Sequence, residues 1–226
     1  MRPRLDDCVV IFDLDGTLID TADDLAAAMN AVLAADGLAA LPTARVRHLV
    51  GHGAKAMIRA GFAAHGARPP DDITPHFEHF LRFYLDNIAV SSRPFPGMGA
   101  ALAALKSDGA AAAICTNKKE AWARALLDAL DLTTEFSAIV GADTAGAAKP
   151  DARPVFHAMK EAGRRQAVFV GDSDYDIDAA RAANVPVIIA EFGYGPLERA
   201  DFAAARFGGF GELPALIART AEGFRR

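Results

Sequence analysis

Short apolar runs of strand length recur along the chain at Cys8 to Phe12, Ala110 to Cys115, Ser137 to Val140, Ala167 to Val170 and Val187 to Ala190. They are largely continuous rather than alternating, as expected of strands buried on both faces of a parallel sheet. Between them lie stripes at spacings of three and four: Met98, Ala101, Leu102 and Leu105, then Trp122, Ala125, Leu126 and Ala129, then Val155, Phe156 and Met159 after Pro150-Asp151. Strands alternating with amphipathic helices predict an α/β fold, a doubly wound parallel sheet with helices on both faces.

Residues 21–93 break that alternation. Leu25, Ala28, Met29, Val32 and Leu33 form one helical stripe, and Phe77, Phe80, Leu81, Tyr84, Leu85 and Ile88 form another. Between them Thr43, after Pro42, predicts an N-cap for a helix over 44–50, and Gly51-His52-Gly53 separates it from a helix over 54–64. The pattern predicts a helical domain at 21–93 inserted after the first strand, with 1–20 and 94–226 forming the core. The return crossing Arg93-Pro94-Phe95-Pro96-Gly97 reads as a stiff linker.

With 226 residues, 52% of them hydrophobic, the chain can fill one full core and a smaller companion. A net charge of -5 and no Lys/Arg run longer than two exclude the broad basic field that nucleic acid requires. The N-terminal apolar run of five residues before Asp13 is short of the roughly 7 to 15 of a secretory signal. No uninterrupted apolar stretch reaches the about 18 residues of a membrane span. Cys8 and Cys115 both sit in runs that read as buried strands, the place of reduced core cysteines, and a cytoplasmic location is expected.

Several strands end in polar residues: Asp13-Leu14-Asp15-Gly16-Thr17, Thr116-Asn117 and Gly171-Asp172. Ligands bind at that edge of an open parallel sheet, so these groups are expected to converge there, with Lys149 reaching in from the segment after Val140. Carboxylates with spare oxygens suit a hard cation such as Mg2+. A phosphoryl group beside it would meet Lys149, Thr116 with the neighbouring Asn117, and the N–H groups of the turn after Asp15. Asp13 and Asp15, two apart in extended chain, point to one side. Asp13 is then expected to attack phosphorus, while Asp15 protonates the leaving oxygen and later deprotonates water. Gly16 allows the sharp turn and Thr17 a hydrogen bond within it.

DLDGTL (Asp13 to Leu18), Thr116-Asn117, Lys149-Pro150 and GDSDYD (Gly171 to Asp176) resemble, in order and spacing, the four motifs of the haloacid-dehalogenase-type phosphohydrolases. The resemblance spans essentially the whole chain. It implies Asp13 as nucleophile, Asp15 as acid/base, Thr116 and Lys149 as phosphate grips, and a Mg2+ held by Asp13, the Asp15 main-chain carbonyl and Asp172, with Asp176 in support. The helical insert is similar to the cap that shields the site in one branch of the family. Within the family, TADDLAAAMNAVLAADGL, HLVGHGAKAMI, PFPGMGAALAAL, ICTNKKEAWARALL and EFGYG resemble the phosphoglycolate phosphatases, with departures at Lys119 and His52. Arg47, His52 and Lys55, flanking the glycine-rich break, are expected to read the substrate from the insert. Gly193-Tyr194-Gly195 reads as a turn, and Asp174 and Asp178 as solvated or capping groups.

Aligning Gly16 with the obligatory glycine of a calcium loop puts Ile11 at its first position and Ala22 at its twelfth, so that template fails. A mutase of the β-phosphoglucomutase type shares the motifs and differs by returning the phosphoryl group to substrate. A receiver-like phospho-switch uses Asp, Thr and Lys around Mg2+ but has no place for the insert. The expected partner is a small phosphomonoester, with 2-phosphoglycolate favoured; nothing in the sequence fixes the oligomeric state.

Overall fold

The computed structural model describes residues 4–51, 53–195 and 197–225. Six strands form one sheet: β1 (Cys8–Phe12), β4 (Ala111–Cys115), β5 (Ala138–Val140), β6 (Gln166–Gly171), β7 (Val187–Ala190) and β8 (Ala205–Phe207). Their order is β5-β4-β1-β6-β7-β8 and every pairing is parallel. β1 lies between β4 and β6, so the chain winds outward on one side, returns beside β1, and winds outward on the other. Connections from neighbouring strands diverge there and leave a crevice at their carboxyl ends.

Alternate residues of each strand face opposite layers. Val10, Phe12, Ile114, Val168 and Val170 pack under α5 (Met98–Ser107), α6 (Glu120–Ala129) and α9 (Leu213–Glu222). Val9, Ile11, Ala113, Cys115 and Phe169 pack under α7 (Arg153–Glu161) and α8 (Asp174–Ala182). Each fully buried large side chain contributes about 1.5 to 3 kcal/mol, which anchors the strand ends from which the polar residues emerge. Cys8 and Cys115 are free and buried in these layers, and burial pushes both thiols up to about 12.

Residues between β1 and β4 form helices α1 (Ala22–Ala35), α2 (Thr43–Arg47), α3 (Ala54–Ala64) and α4 (Thr74–Asp86), with an apolar cluster of their own around Met29, Val32, Leu33, Ile58, Phe62 and Phe80. The two crossings pair as an antiparallel ribbon, β2 (Ile19–Asp20) with β3 (Arg93–Pro94), so the segment expected to be a stiff linker begins as a strand. Proline is tolerated there because such a ribbon leaves its outer N–H sites unpaired. Asp24, buried at the start of α1, accepts from the Ser91 and Ser92 N–H groups and the Ser92 hydroxyl (2.6 to 3.1 Å) and ties the returning chain to the departing one.

The expected helix over 44–50 is shorter. It begins at Thr43 behind extended Pro42, has no side-chain cap, and gives way to a turn reaching Gly51 at φ 94. β8 was not predicted, because Ala-Arg-Phe carries no apolar run. Among the described residues no helix is long and apolar enough to cross a membrane.

Candidate active site

Asp13 leaves β1 with its N–H still bonded to Val170 O at 2.9 Å, so its carboxylate emerges beside the end of β6. There it meets Asp172 and Asp176, each offering a carboxylate oxygen within 4.8 Å of the others, and all three are buried. Lys149 Nζ lies 2.9 Å from Asp13 Oδ1 and 2.6 Å from Asp176 Oδ1, with only 1% of its side chain exposed. Burial alone would lower the Lys149 pKa, but Asp13 and Asp176 raise it further, so the ammonium stays charged.

The carboxylates carry more negative charge than one lysine balances. Burial first, and then Asp176 and Asp172, push Asp13 up to about 8 against the attraction of Lys149. Burial and Asp176 push Asp172 up to about 6. A buried all-oxygen set with excess negative charge fits a hard divalent cation and not a thiophilic one.

Each carboxylate is held differently. Asp176 accepts from Lys149 on Oδ1, and from the Asp172 and Ser173 N–H groups and the Ser173 hydroxyl on Oδ2 (2.7 to 3.2 Å), closing a capping box at the start of α8. Its oxygens are thus committed to the frame. Asp172 accepts from the Thr17 hydroxyl and the Tyr194 N–H, both at 2.7 Å. Asp13 Oδ1 accepts from the Leu14 N–H at 2.7 Å as well as from Lys149. Among the described residues no hydrogen bond reaches its Oδ2. Gly16 sits at φ 85, where a Cβ would come within 2.6 Å of Asp172 Oδ2 and 2.8 Å of the Tyr194 ring, so the turn and the space both require glycine.

Thr116 follows β4, its N–H on Val140 O at 2.9 Å and its hydroxyl accepting from the Lys118 N–H at 3.2 Å. Asn117, expected at the phosphate, directs its amide to the Lys149 main chain: Oδ1 accepts from the Lys149 N–H at 2.9 Å and Nδ2 donates to its carbonyl at 3.1 Å. Its side chain therefore fixes Lys149.

Asp15 stands apart from the trio, its Oδ1 accepting from Lys118 Nζ at 2.7 Å. A metal role for Asp15 thus rests on its main-chain carbonyl alone. Lys118 also donates to the Tyr84 hydroxyl of α4 at 2.9 Å, its ammonium 4.8 Å from the ring centroid. Asp13, Asp15, Thr116, Asn117, Lys118 and Lys149 all line a cavity of about 110 Å³ closed by Leu25, Val50, Gly51, Gly53, Ala54, Met57, Phe80 and Tyr84, with Trp122 of α6.

The residues expected to read the substrate are placed elsewhere. Arg47 pairs with Asp20 at 3.0 Å and lies 4.9 Å over the Tyr194 ring; Lys55 lies 5.2 Å over the Phe77 ring. Neither lines the cavity, and His52 falls outside the described residues. Three groups were missed. Lys118 stands in the Thr-Asn-Lys string, where its position beside Thr116 is the available signal; by sequence Tyr84 belongs to an apolar helical stripe. Tyr194, read as a turn, donates its N–H to Asp172, while its hydroxyl accepts from the Thr21 and Ala22 N–H groups (2.6 and 3.0 Å) and donates to Asp20 at 2.5 Å.

Residues 10–190 match the family model described as haloacid dehalogenase-like hydrolase. Among curated proteins, the chain is 46% identical over 192 residues to a phosphoglycolate phosphatase of Mesorhizobium japonicum, covering 82% of this chain and 83% of that one. It is likewise 46% identical over 193 residues to one of Caulobacter vibrioides (84% and 81% covered). Among solved structures, a predicted phosphoglycolate phosphatase from Haemophilus somnus superposes with a TM-score of 0.84 at 27% identity, covering 92% of this chain and 97% of that one.

Proposed function

The chain belongs to the haloacid dehalogenase-like hydrolases and is a phosphatase, and from that premise we propose that it hydrolyses 2-phosphoglycolate to glycolate and phosphate through an aspartyl phosphate on Asp13. The observation that carries the mechanism is the buried cluster of Asp13, Lys149, Asp172 and Asp176, of which Asp13 and Lys149 line a cavity that also receives Asp15.

Asp13 attacks phosphorus with Oδ2, the carboxylate oxygen that no hydrogen bond reaches among the described residues. The bond from phosphorus to the ester oxygen breaks, and Asp15 gives that oxygen its proton. Asp15 then takes a proton from water as the water oxygen attacks phosphorus, the bond to Asp13 breaks, and inorganic phosphate leaves. Lys149 and the Thr116 hydroxyl hold the non-bridging oxygens, and Asn117 and Asp176 hold Lys149. Asp13, Asp172 and the Asp15 carbonyl would hold Mg2+, which supplies charge neutralisation at the phosphoryl group. In this reading residues 21–93 are a cap that closes the cavity against water.

The substrate is favoured by curated relatives bearing that activity in their names at 46% identity. A panel of phosphomonoesters assayed with Mg2+ for free phosphate tests it. The expected result is a higher kcat/KM for 2-phosphoglycolate than for glucose 6-phosphate. A sugar phosphate in first place, or phosphoryl return to a sugar without phosphate release, would replace this reading with a sugar-phosphate phosphatase or mutase.

A further inference from the structure

The cations available to a substrate are few. Of the described residues lining the cavity only Lys118 and Lys149 carry a positive charge. Lys149 is committed to Asp13, Asp176 and the phosphoryl group. Lys118 lies on the other side of Asp15 with 6% of its side chain exposed, and its ammonium has three N–H donors. Two are taken, by Asp15 Oδ1 and by the Tyr84 hydroxyl. Tyr84 accepts in that contact, so its own O–H remains to be given. Two unspent donors thus face a cavity whose neighbouring wall is apolar: Leu25, Val50, Met57, Phe80 and Trp122.

We propose that Lys118, backed by Tyr84, is the specificity residue that binds a carboxylate on the substrate's leaving group. Asp15 must reach the ester oxygen to protonate it, so an ammonium 2.7 Å from Asp15 lies within reach of a group carried on the adjacent carbon. In 2-phosphoglycolate that group is the carboxylate. In an apolar wall a charged ester must find a paired donor or lose several kcal/mol of hydration, so the placement of one cation selects among substrates. Burial would strip Lys118 of its proton, but Asp15 and Tyr84 more than offset it and keep the group cationic. Because Tyr84 comes from α4 and Lys118 from the segment after β4, the pair is complete only with the helices seated on the sheet. The proposal rests on the reading of this cavity as a 2-phosphoglycolate site.

The test compares kcat/KM for 2-phosphoglycolate and ethyl phosphate, which has the same carbon count and no carboxylate. The parent should prefer 2-phosphoglycolate. Lys118→Gln, which keeps a donor for Asp15 but no charge, should lower that preference by about tenfold or more, the loss of one charge-assisted hydrogen bond. Tyr84→Phe should lower it by a few-fold. Dividing by ethyl phosphate cancels any general damage to Asp15. Trp122, the one tryptophan in the sequence, lines the cavity and gives a readout without turnover. Glycolate should perturb its fluorescence at lower concentration in the parent than in Lys118→Gln. If the parent prefers 2-phosphoglycolate and both variants keep the full preference, Lys118 serves only Asp15 and the inference is overturned while the proposed function stands. If the parent shows no preference, both fall together.

Discussion

Removing one oxygen from Tyr194 tests how the loop beside Asp172 and the chain entering the helical insert are joined. Tyr194→Phe leaves the ring, which packs against Gly16 and Arg47, and the N–H that holds Asp172. It deletes the hydroxyl that accepts from the Thr21 and Ala22 N–H groups and donates to Asp20. Asp20 retains Arg47, so its loss is partial. Of these two N–H groups at the start of α1, that of Thr21 has no other acceptor among the described residues and that of Ala22 keeps only Asp20 Oδ1 at 3.5 Å, and an orphaned buried donor costs about 1 to 3 kcal/mol. Allowing for water reaching the half-exposed Asp20 side, the total is about 2 to 4 kcal/mol. At about 2 to 4 °C per kcal/mol for a chain of this size, Tm should fall by about 5 to 15 °C. Thermal melts followed by circular dichroism measure this directly. A Tm within about 1 °C of the parent would show that the hydroxyl is replaceable and that the start of α1 is not held there.

Three further outcomes follow from the site. Asn117→Ala should lower kcat/KM by about ten- to a hundredfold with a near-parental Tm, because it frees the Lys149 main chain without emptying the core; steady-state kinetics beside a melt checks both. Asp15→Asn should abolish turnover of 2-phosphoglycolate yet retain phosphorylation of Asp13 from p-nitrophenyl phosphate, whose leaving group needs no acid, read as one added phosphoryl group by intact-protein mass spectrometry. Asp13 and Asp172 are raised to about 8 and about 6 from an ordinary 3.8, so between about pH 4 and 8 the folded metal-free protein binds more protons than the unfolded chain and loses stability as pH rises. Mg2+ binds the carboxylates without their protons, so its gain in Tm should be larger at pH 8 than at pH 5.

The sheet was legible because parallel strands are buried on both faces and their apolar runs need no partner to be seen. β1 and β7 occupy the residues the pattern predicts, and the helix at 54–64 likewise. The edge strand β8 and the β2–β3 ribbon were not, since their pairing comes from the register of distant chain and not from local composition. The same limit applies to the site. Residues at strand ends were found because topology alone brings them together. Tyr194, Asp24 and the Lys118–Tyr84 contact were not, because each bonds across more than thirty positions of chain through side chains that also make good turn, cap or core residues. Arg47 shows the converse: a cation beside a glycine break suits a ligand contact by sequence, but Asp20 and Tyr194 claim it.

The central claim is that phosphate passes through a covalent bond to Asp13, and the stereochemical course at phosphorus tests it without needing the intermediate to accumulate. A phosphorothioate analogue of the substrate, made chiral at phosphorus with sulfur and 18O, is hydrolysed in 17O-water, and the configuration of the released thiophosphate is determined. Two successive in-line displacements, first by Asp13 and then by water, invert twice and give net retention, the result predicted here. Net inversion would mean that water attacks the substrate directly, and Asp13 would then be a metal ligand or base and not the nucleophile.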